Sequence, residues 1–180
     1  MNLLVFDLEA TCWNSNGTAL RKQEIIEIGA CILDEYGRVE STFQSFVKPQ
    51  MNPFLSNYCM QLTTITQEEI DKAKSFPKVL ESFIDWANPE DEEYIFCAWG
   101  DADKDLLKSD AQSFNLDISW LKPYIDIKAR YHRNRQLSKL QGLDRVMHTN
   151  GFHFEGQRHR AIYDALNLAK LVAKYKEEWV

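Results

Sequence analysis

The alternation of apolar and polar positions predicts strands at the start of the chain. Residues 2–9 are apolar until two carboxylates close the run, and residues 25–33 form a β-branched run. Residues 39–48 alternate and follow a turn over residues 35–38, so the three segments predict an antiparallel meander. Residues 49–62 have no regular period and are predicted to be irregular.

The later pattern predicts helices interleaved with buried strands. Residues 94–99 form a continuous apolar run before Gly100, which is typical of a buried parallel strand, and a short strand is predicted at 124–127. Helices are predicted from Thr66 with capping-box spacing, from Ser75 with Pro77 in the first turn, at 103–114, from Ser138 to Asn150-Gly151, and at 161–179. The pattern predicts one α/β domain over 1–180, with a sheet of mixed strand direction.

Two carboxylates one residue apart end the first predicted strand. Asp7 and Glu9 point to the same face because side chains alternate along a strand, while Leu8 points back into apolar packing. Two partly buried carboxylates repel each other unless cations offset their charge. The pair therefore indicates either a Mg²⁺ or Mn²⁺ site or a strand end that emerges into solvent.

Three further candidates follow the later strands. Asp103 lies just beyond the strand at 94–99, where sheet proteins place their sites, with Asp101 and Asp105 as competitors and a helix N-terminal charge as the structural alternative. Asp164 lies in the first turns of the last helix, among apolar neighbours. His159 comes five residues earlier; it is either a surface histidine or a group for proton transfer near neutrality.

Four carboxylates and one histidine together suggest a specific chemistry. Two metal ions about 3.5–4 Å apart activate a water on one side of a phosphate and stabilise the leaving oxygen on the other. The histidine would take the proton of the attacking water. An acidic site holds an anionic phosphate only if metals reverse its local charge.

Composition narrows the class of protein. Hydrophobic residues make up 44% and charged residues 27% of the chain, which is typical of a soluble globular protein. No apolar stretch approaches the ~20 residues that span a bilayer, so no membrane partner is expected. With no secretory signal visible, the four cysteines are expected to be reduced thiols of a cytoplasmic protein. The pattern specifies no oligomeric state.

Charge is distributed unevenly. The net charge is −6, but residues 128–160 hold eight basic and two acidic side chains, +6 in all, which leaves −12 elsewhere. This asymmetry fits either a basic lip beside an acidic site or a solvated helical face.

Three motifs in order resemble the DEDDh 3′-to-5′ exonucleases. They are F-D-L-E-A-T-C at 6–12, W-G-D-A-D at 99–103 and H-R-A-I-Y-D-A at 159–165. The linking segments at 23–29, 47–59 and 62–67 are similar to those of the enhanced-RNAi and histone-mRNA exonuclease subgroup. Thr64 stands where the subgroup usually has glycine, and Ala102 where a base-stacking tryptophan is frequent.

The resemblance implies a ribonuclease H-like sheet of five strands in the order 3-2-1-4-5, with strand 2 antiparallel and helices on its flanks. It implies Asp7, Glu9, Asp103 and Asp164 as ligands of two divalent metal ions, Mg²⁺ or Mn²⁺, and His159 as general base. Ala10 and Thr11 are expected to meet the terminal ribose through their backbone. Tyr58 is expected either to contact the substrate or to serve packing.

The predicted function is a metal-dependent exonuclease that releases nucleoside 5′-monophosphates from the 3′ end of single-stranded nucleic acid. RNA is favoured over DNA by the resemblance alone. The alternatives are a non-catalytic nucleic-acid-binding or regulatory protein on the same fold, and a hydrolase of short oligonucleotides or dinucleotides.

Overall fold

Three long strands open the fold. In the computed structural model, which describes residues 2–14, 21–89 and 91–179, they are β1 (Asn2–Ala10), β2 (Ile25–Leu33) and β3 (Val39–Lys48). β1 pairs antiparallel with β2, and β2 pairs antiparallel with β3, so the predicted meander is confirmed.

Helices and short strands form the remainder. They are α1 (Asn57–Thr63), α2 (Gln67–Lys72), β4 (Lys74–Ser75), α3 (Phe76–Ala87), β5 (Tyr94–Ala98), α4 (Ala102–Ser113), β6 (Tyr124–Asp126), α5 (Ile127–Asn134), α6 (Leu143–Thr149) and α7 (Ala161–Lys174). The capping box at Thr66 is present: its hydroxyl accepts from Glu69 N, and the Glu69 carboxylate accepts from Thr66 N. No helix of the described residues is both long and apolar enough to cross a bilayer.

The sheet has the order β4-β3-β2-β1-β5-β6. β5 pairs parallel with β1, and β6 pairs parallel with β5. The five longer strands therefore have the expected order, with the second antiparallel to its neighbours. The sixth strand is a correction: Lys74 and Ser75 pair with Val47 and Lys48 at the sheet edge, and two residues are too few to show a strand period.

The two faces of β1 pack against different helices. Leu4, Phe6 and Leu8 share a core with α3 and α4, whereas Leu3 and Val5 pack with α5, α6 and α7. Asp7 and Glu9 continue the Leu3 and Val5 face. The sheet therefore presents both carboxylates towards the side that α7 covers, and Leu8 packs on the opposite side as predicted.

Two predictions for the connecting segments are wrong. Residues 49–62 are not irregular throughout, because Ser56 caps α1 by accepting a hydrogen bond from Cys59 N. The helix expected from Ser138 begins at Leu143, and α5 precedes it. The buried ring of His132 holds the connecting loop, since its Nε2 accepts from Gln141 N at 2.8 Å.

The last helix is shorter than predicted. α7 ends at Lys174, and residues 176–178 form a single 3₁₀ turn. Arg135 holds the residues that follow α7: its guanidinium lies 3.9 Å from the Tyr175 ring centroid and pairs with Glu178 at 3.0 Å.

Thr64 ends α1 in a conformation that disfavours it. Its φ is 61° and its ψ is 6°, the left-handed region in which a branched side chain crowds the backbone. We expect Thr64→Gly to stabilise the protein by about 1 kcal/mol, because the relief exceeds the added chain entropy of glycine. Thermal melting measures this, and Thr64→Ala, which keeps a Cβ, should gain less; an equal gain would contradict the argument.

Candidate active site

Three carboxylates meet where β1 ends. Asp7 and Glu9 extend from β1, and Asp164 extends from the first turn of α7. One oxygen of each lies within 4.8 Å of the other two. The geometry joins residues more than 150 positions apart, because α7 packs across the face of β1 and β2 on which these acids lie.

Asp103 reaches the same strand from α4. Its Oδ1 accepts a hydrogen bond from Leu8 N, between the two β1 acids, at 3.0 Å. Asp101 and Asp105 are exposed, and Asp101 pairs with Lys104. The structure thus places Asp103 against β1 and leaves its two competitors at the surface.

Burial raises the pKa of every acid in this group, and repulsion from neighbouring carboxylates adds to it. Burial, followed by Asp103 and Asp164, raises the pKa of Asp7 well above its usual range. Burial and Asp164 raise the pKa of Glu9 to about 8, and burial raises that of Asp103 to about 7 despite the bond from Leu8 N. The pKa of Asp164 is also raised by burial, against the opposing effect of His159. Without cations the site therefore resists full ionisation.

These shifts predict how the metal-free protein responds to pH. A raised folded-state pKa contributes stability that is complete below the unfolded value and is lost as pH rises through the folded value. For Glu9 that window runs from 4.5 to about 8. Since one pKa unit is about 1.4 kcal/mol, we expect a loss on the order of a few kcal/mol. Urea unfolding in EDTA at pH 5 and pH 8 measures it, and equal stabilities would contradict the site's electrostatics.

The donor set fits divalent cations. Carboxylate oxygens are the ligands that Mg²⁺ and Mn²⁺ prefer, and a cation between them would relieve the repulsion that raises these pKa values. The 4.8 Å spacing lets one ion contact oxygens of Asp7, Glu9 and Asp164. The acids thus form a candidate cation site at a strand end that is only partly exposed.

His159 lies at the rim of the acidic group. It is exposed, and its backbone adopts a left-handed φ of 59° immediately before α7. Its charge lowers the pKa of Asp164. An exposed imidazole beside half-buried carboxylates has access both to solvent and to the site.

The expected substrate contacts occupy different environments. Ala10 is partly exposed, and its carbonyl accepts a weak bond from Cys59 Sγ at 3.7 Å. Thr11 is buried; its N donates to Glu24 O at 2.8 Å, and its hydroxyl accepts from Glu24 N at 3.0 Å. Tyr58 is exposed on α1, whose cap Ser56 donates to Cys12 O at 2.6 Å. Thr11 thus has its backbone N–H engaged within the fold.

Sequence reasoning missed one acid. Glu27 is fully buried in β2 and contributes to the raised pKa values of Asp7 and Glu9. A single charged residue inside an otherwise apolar strand was the available signal. This signal did not reveal the partner of Glu27, because Arg160 lies 133 positions away.

The fold and the acidic site together define an exonuclease domain. The Exonuclease (RNase_T) family model matches residues 4–172, and the chain belongs to that family. The chain is 28% identical to the nuclease domain of 3′hExo, a DEDDh family member bound to rAMP, with a TM-score of 0.91 over 99% of this chain and 92% of that one. The resemblance to DEDDh exonucleases and the ribonuclease H-like fold are confirmed.

Two curated relatives match nearly the whole chain. Rat (Rattus norvegicus) 3′-5′ exoribonuclease 1 is 29% identical over 184 residues, covering 98% of this chain and 53% of the relative. The 3′-5′ exonuclease eri1 of Schizosaccharomyces pombe is 32% identical over 204 residues, covering 98% of this chain and 68% of the relative. The chain thus spans about half the length of the rat protein and about two thirds of the yeast one.

Proposed function

We propose that this chain is a metal-dependent exonuclease that shortens single-stranded nucleic acid from its 3′ end, with RNA favoured over DNA. The observation that carries the proposal is the group of three carboxylates within 4.8 Å at the end of β1, with Asp103 and His159 beside it. The names of the relatives support the direction of attack and the preference for RNA. The product is a nucleoside 5′-monophosphate.

The four acids would hold two divalent ions, Mg²⁺ or Mn²⁺. Asp7, Glu9 and Asp164 offer oxygens to a shared ion, and Asp103 is oriented by Leu8 N so that one oxygen is fixed against β1. Bound there, the ions supply positive charge for the phosphate and lower the pKa of a coordinated water. In the absence of cations, the combined negative charge of the four carboxylates would repel a phosphate.

His159 would act as the general base. Its exposed ring accepts the proton of a water that attacks the terminal phosphorus. The bond between phosphorus and the 3′ oxygen of the preceding nucleotide then breaks, and that oxygen takes a proton to become the new 3′ hydroxyl. His159 lies close enough to Asp164 for its charge to lower the pKa of that carboxyl.

The substrate end would enter past the end of β1. Ala10, which is partly exposed, would meet the terminal ribose through its backbone, together with the adjacent Thr11. The exposed Tyr58 ring is available to stack on a base, an interaction that contributes about 1–3 kcal/mol per base in single-strand binding proteins.

The test is cleavage of a 5′-labelled single-stranded RNA and its DNA twin with Mn²⁺, Mg²⁺ or EDTA. A metal-dependent ladder that shortens from the 3′ end supports the proposal, and the ratio of the two rates sets the preference for RNA. Asp103→Asn should abolish the ladder, and Asp105→Asn, an exposed acid two residues along α4, should retain it. Robust binding without shortening of either strand would overturn the proposal in favour of a binding protein.

Substrate length separates the remaining alternative. An exonuclease acting on strands should cut a 20-mer at least as fast as a trimer. Rates that fall beyond two or three nucleotides would instead identify a hydrolase of short oligonucleotides.

A further inference from the structure

β2 carries one fully buried charge. Glu27 has no exposed surface, and every other residue of β2 is apolar or glycine. A buried carboxylate is costly unless opposite charge and hydrogen-bond donors surround it. The partners of Glu27 therefore indicate why the charge is kept.

Most of those partners belong to one turn. Glu27 Oε2 accepts from Arg160 Nε at 3.1 Å and from Ala161 N at 3.0 Å, and Oε1 accepts from Arg160 Nη2 at 3.3 Å. The remaining bond to Oε1 comes from Gln44 Nε2 of β3 at 2.6 Å. Glu27 thus binds both the side chain before α7 and the first backbone N–H of α7, which no residue within the helix can satisfy.

The same turn holds two groups of the active site. Arg160 N donates to Asp164 Oδ2 at 3.2 Å, and His159 immediately precedes Arg160 with its φ of 59°. This backbone region is disfavoured for residues with a side chain, so the surrounding contacts must hold it. At Gly29 a Cβ would lie 2.1 Å from Ile162 N, so the backbone of β2 touches the start of α7 beside Glu27.

We propose that Glu27 and Arg160 are positioning residues, whose ion pair holds the 159–161 turn so that His159 and Asp164 face the β1 acids. This inference rests on the proposed nuclease function. Arg160 also offsets the charge of Glu27, which otherwise adds to the repulsion at Asp7 and Glu9. Neither residue needs to touch the substrate.

The test is a double-mutant cycle between Glu27→Gln and His159→Ala. Glutamine keeps the volume and an acceptor oxygen but loses the charge that binds Arg160. We expect kcat to fall about 10- to 100-fold with KM within about twofold, because displacing a catalytic group by about 1 Å has costs of this size. In the His159→Ala background the same change should cost several-fold less, since one of the two groups that the ion pair positions is gone and only its effect on Asp164 remains.

Glu24→Gln is the matched control. Glu24 is also buried and accepts from Gln50 N, Met51 N and Asn52 N, but these lie in the segment after β3 and not in α7. Its effect on kcat should therefore be the same with and without His159. Additive effects of Glu27→Gln and His159→Ala would overturn the proposal.

A second readout needs no catalysis. Amide hydrogen exchange at Ala161 and Asp164 should accelerate in Glu27→Gln and stay unchanged in Glu24→Gln, and unchanged exchange in Glu27→Gln would overturn the proposal. If Glu27→Gln fails to fold, Arg160→Lys replaces it in the cycle, because it keeps the charge and loses the two-pronged geometry. A wild-type protein that cleaves no nucleic acid refutes the nuclease function, and the exchange measurement still decides the positioning role.

Discussion

Asp7→Asn is expected to abolish cleavage while stabilising the metal-free protein. Asparagine preserves shape but removes a charge that burial and four neighbouring carboxylates all disfavour. Relieving that repulsion at pH 8 should raise the free energy of unfolding by roughly 1–3 kcal/mol. For a chain of this size, each kcal/mol raises Tm by about 2–4 °C. Cleavage assays with Mn²⁺ and melting curves in EDTA measure the two effects on one preparation.

Melting curves with a divalent metal ion present give a second test of this prediction. Mn²⁺ should raise the Tm of the wild type at pH 8 and raise that of Asp7→Asn much less, because one ligand charge is missing. Asp105→Asn should match the wild type in both respects, since Asp105 is exposed on α4. If the Tm of Asp7→Asn in EDTA were below that of the wild type, the carboxylates would not repel one another as the structure indicates.

His159→Ala is expected to slow cleavage about 10²- to 10⁴-fold, the usual contribution of a general base. A general base accepts a proton only in its neutral form, so the wild-type rate should rise with pH as the base loses its proton, and the variant should lose this rise. Single-turnover rates between pH 5.5 and 8.5 measure both. Mn²⁺ should still raise the Tm of the variant, because His159 is not one of the three clustered residues that could hold the ion.

His153→Ala is the matched control for this variant. His153 is exposed six residues earlier in the same connection between α6 and α7. Its replacement should leave both the rate and the pH profile unchanged. A His159→Ala protein with the wild-type profile would assign the proton transfer to another group.

The pattern and spacing of apolar and polar residues were sufficient to predict the main strands of the sheet. The alternation around Leu8 predicted that Asp7 and Glu9 share a face, and the structure places both on the side that packs against α7. The three-stranded meander followed from the long runs at the start of the chain, and the parallel β5 from a continuous apolar run before Gly100. These features depend on the local order of side chains, which a single sequence contains.

Other features depend on contacts between distant segments. The helix expected from Ser138 was inferred from a capping residue and the Asn150-Gly151 stop signal, yet Leu140 is 66% exposed and the buried His132 ring holds that segment as a loop. Glu27 was not identified as part of the site because its role depends on Arg160, which only the packing of α7 on β2 brings close. The roles of Ala10, Thr11 and Tyr58 stay predictions, and Thr11 N is already bonded to Glu24 O.

The close approach at Gly29 bears on how far such a sequence can diverge. There, β2 and α7 meet backbone to backbone, with no side chain between them. At this end of α7 the separation of the β1 acids from Asp164 is therefore set by backbone contact rather than by the volume of a side chain. Core residues can drift while the geometry of the site persists, which agrees with a TM-score of 0.91 to 3′hExo at 28% identity. Position 29 itself is the exception, and random mutagenesis with selection for activity should recover glycine there.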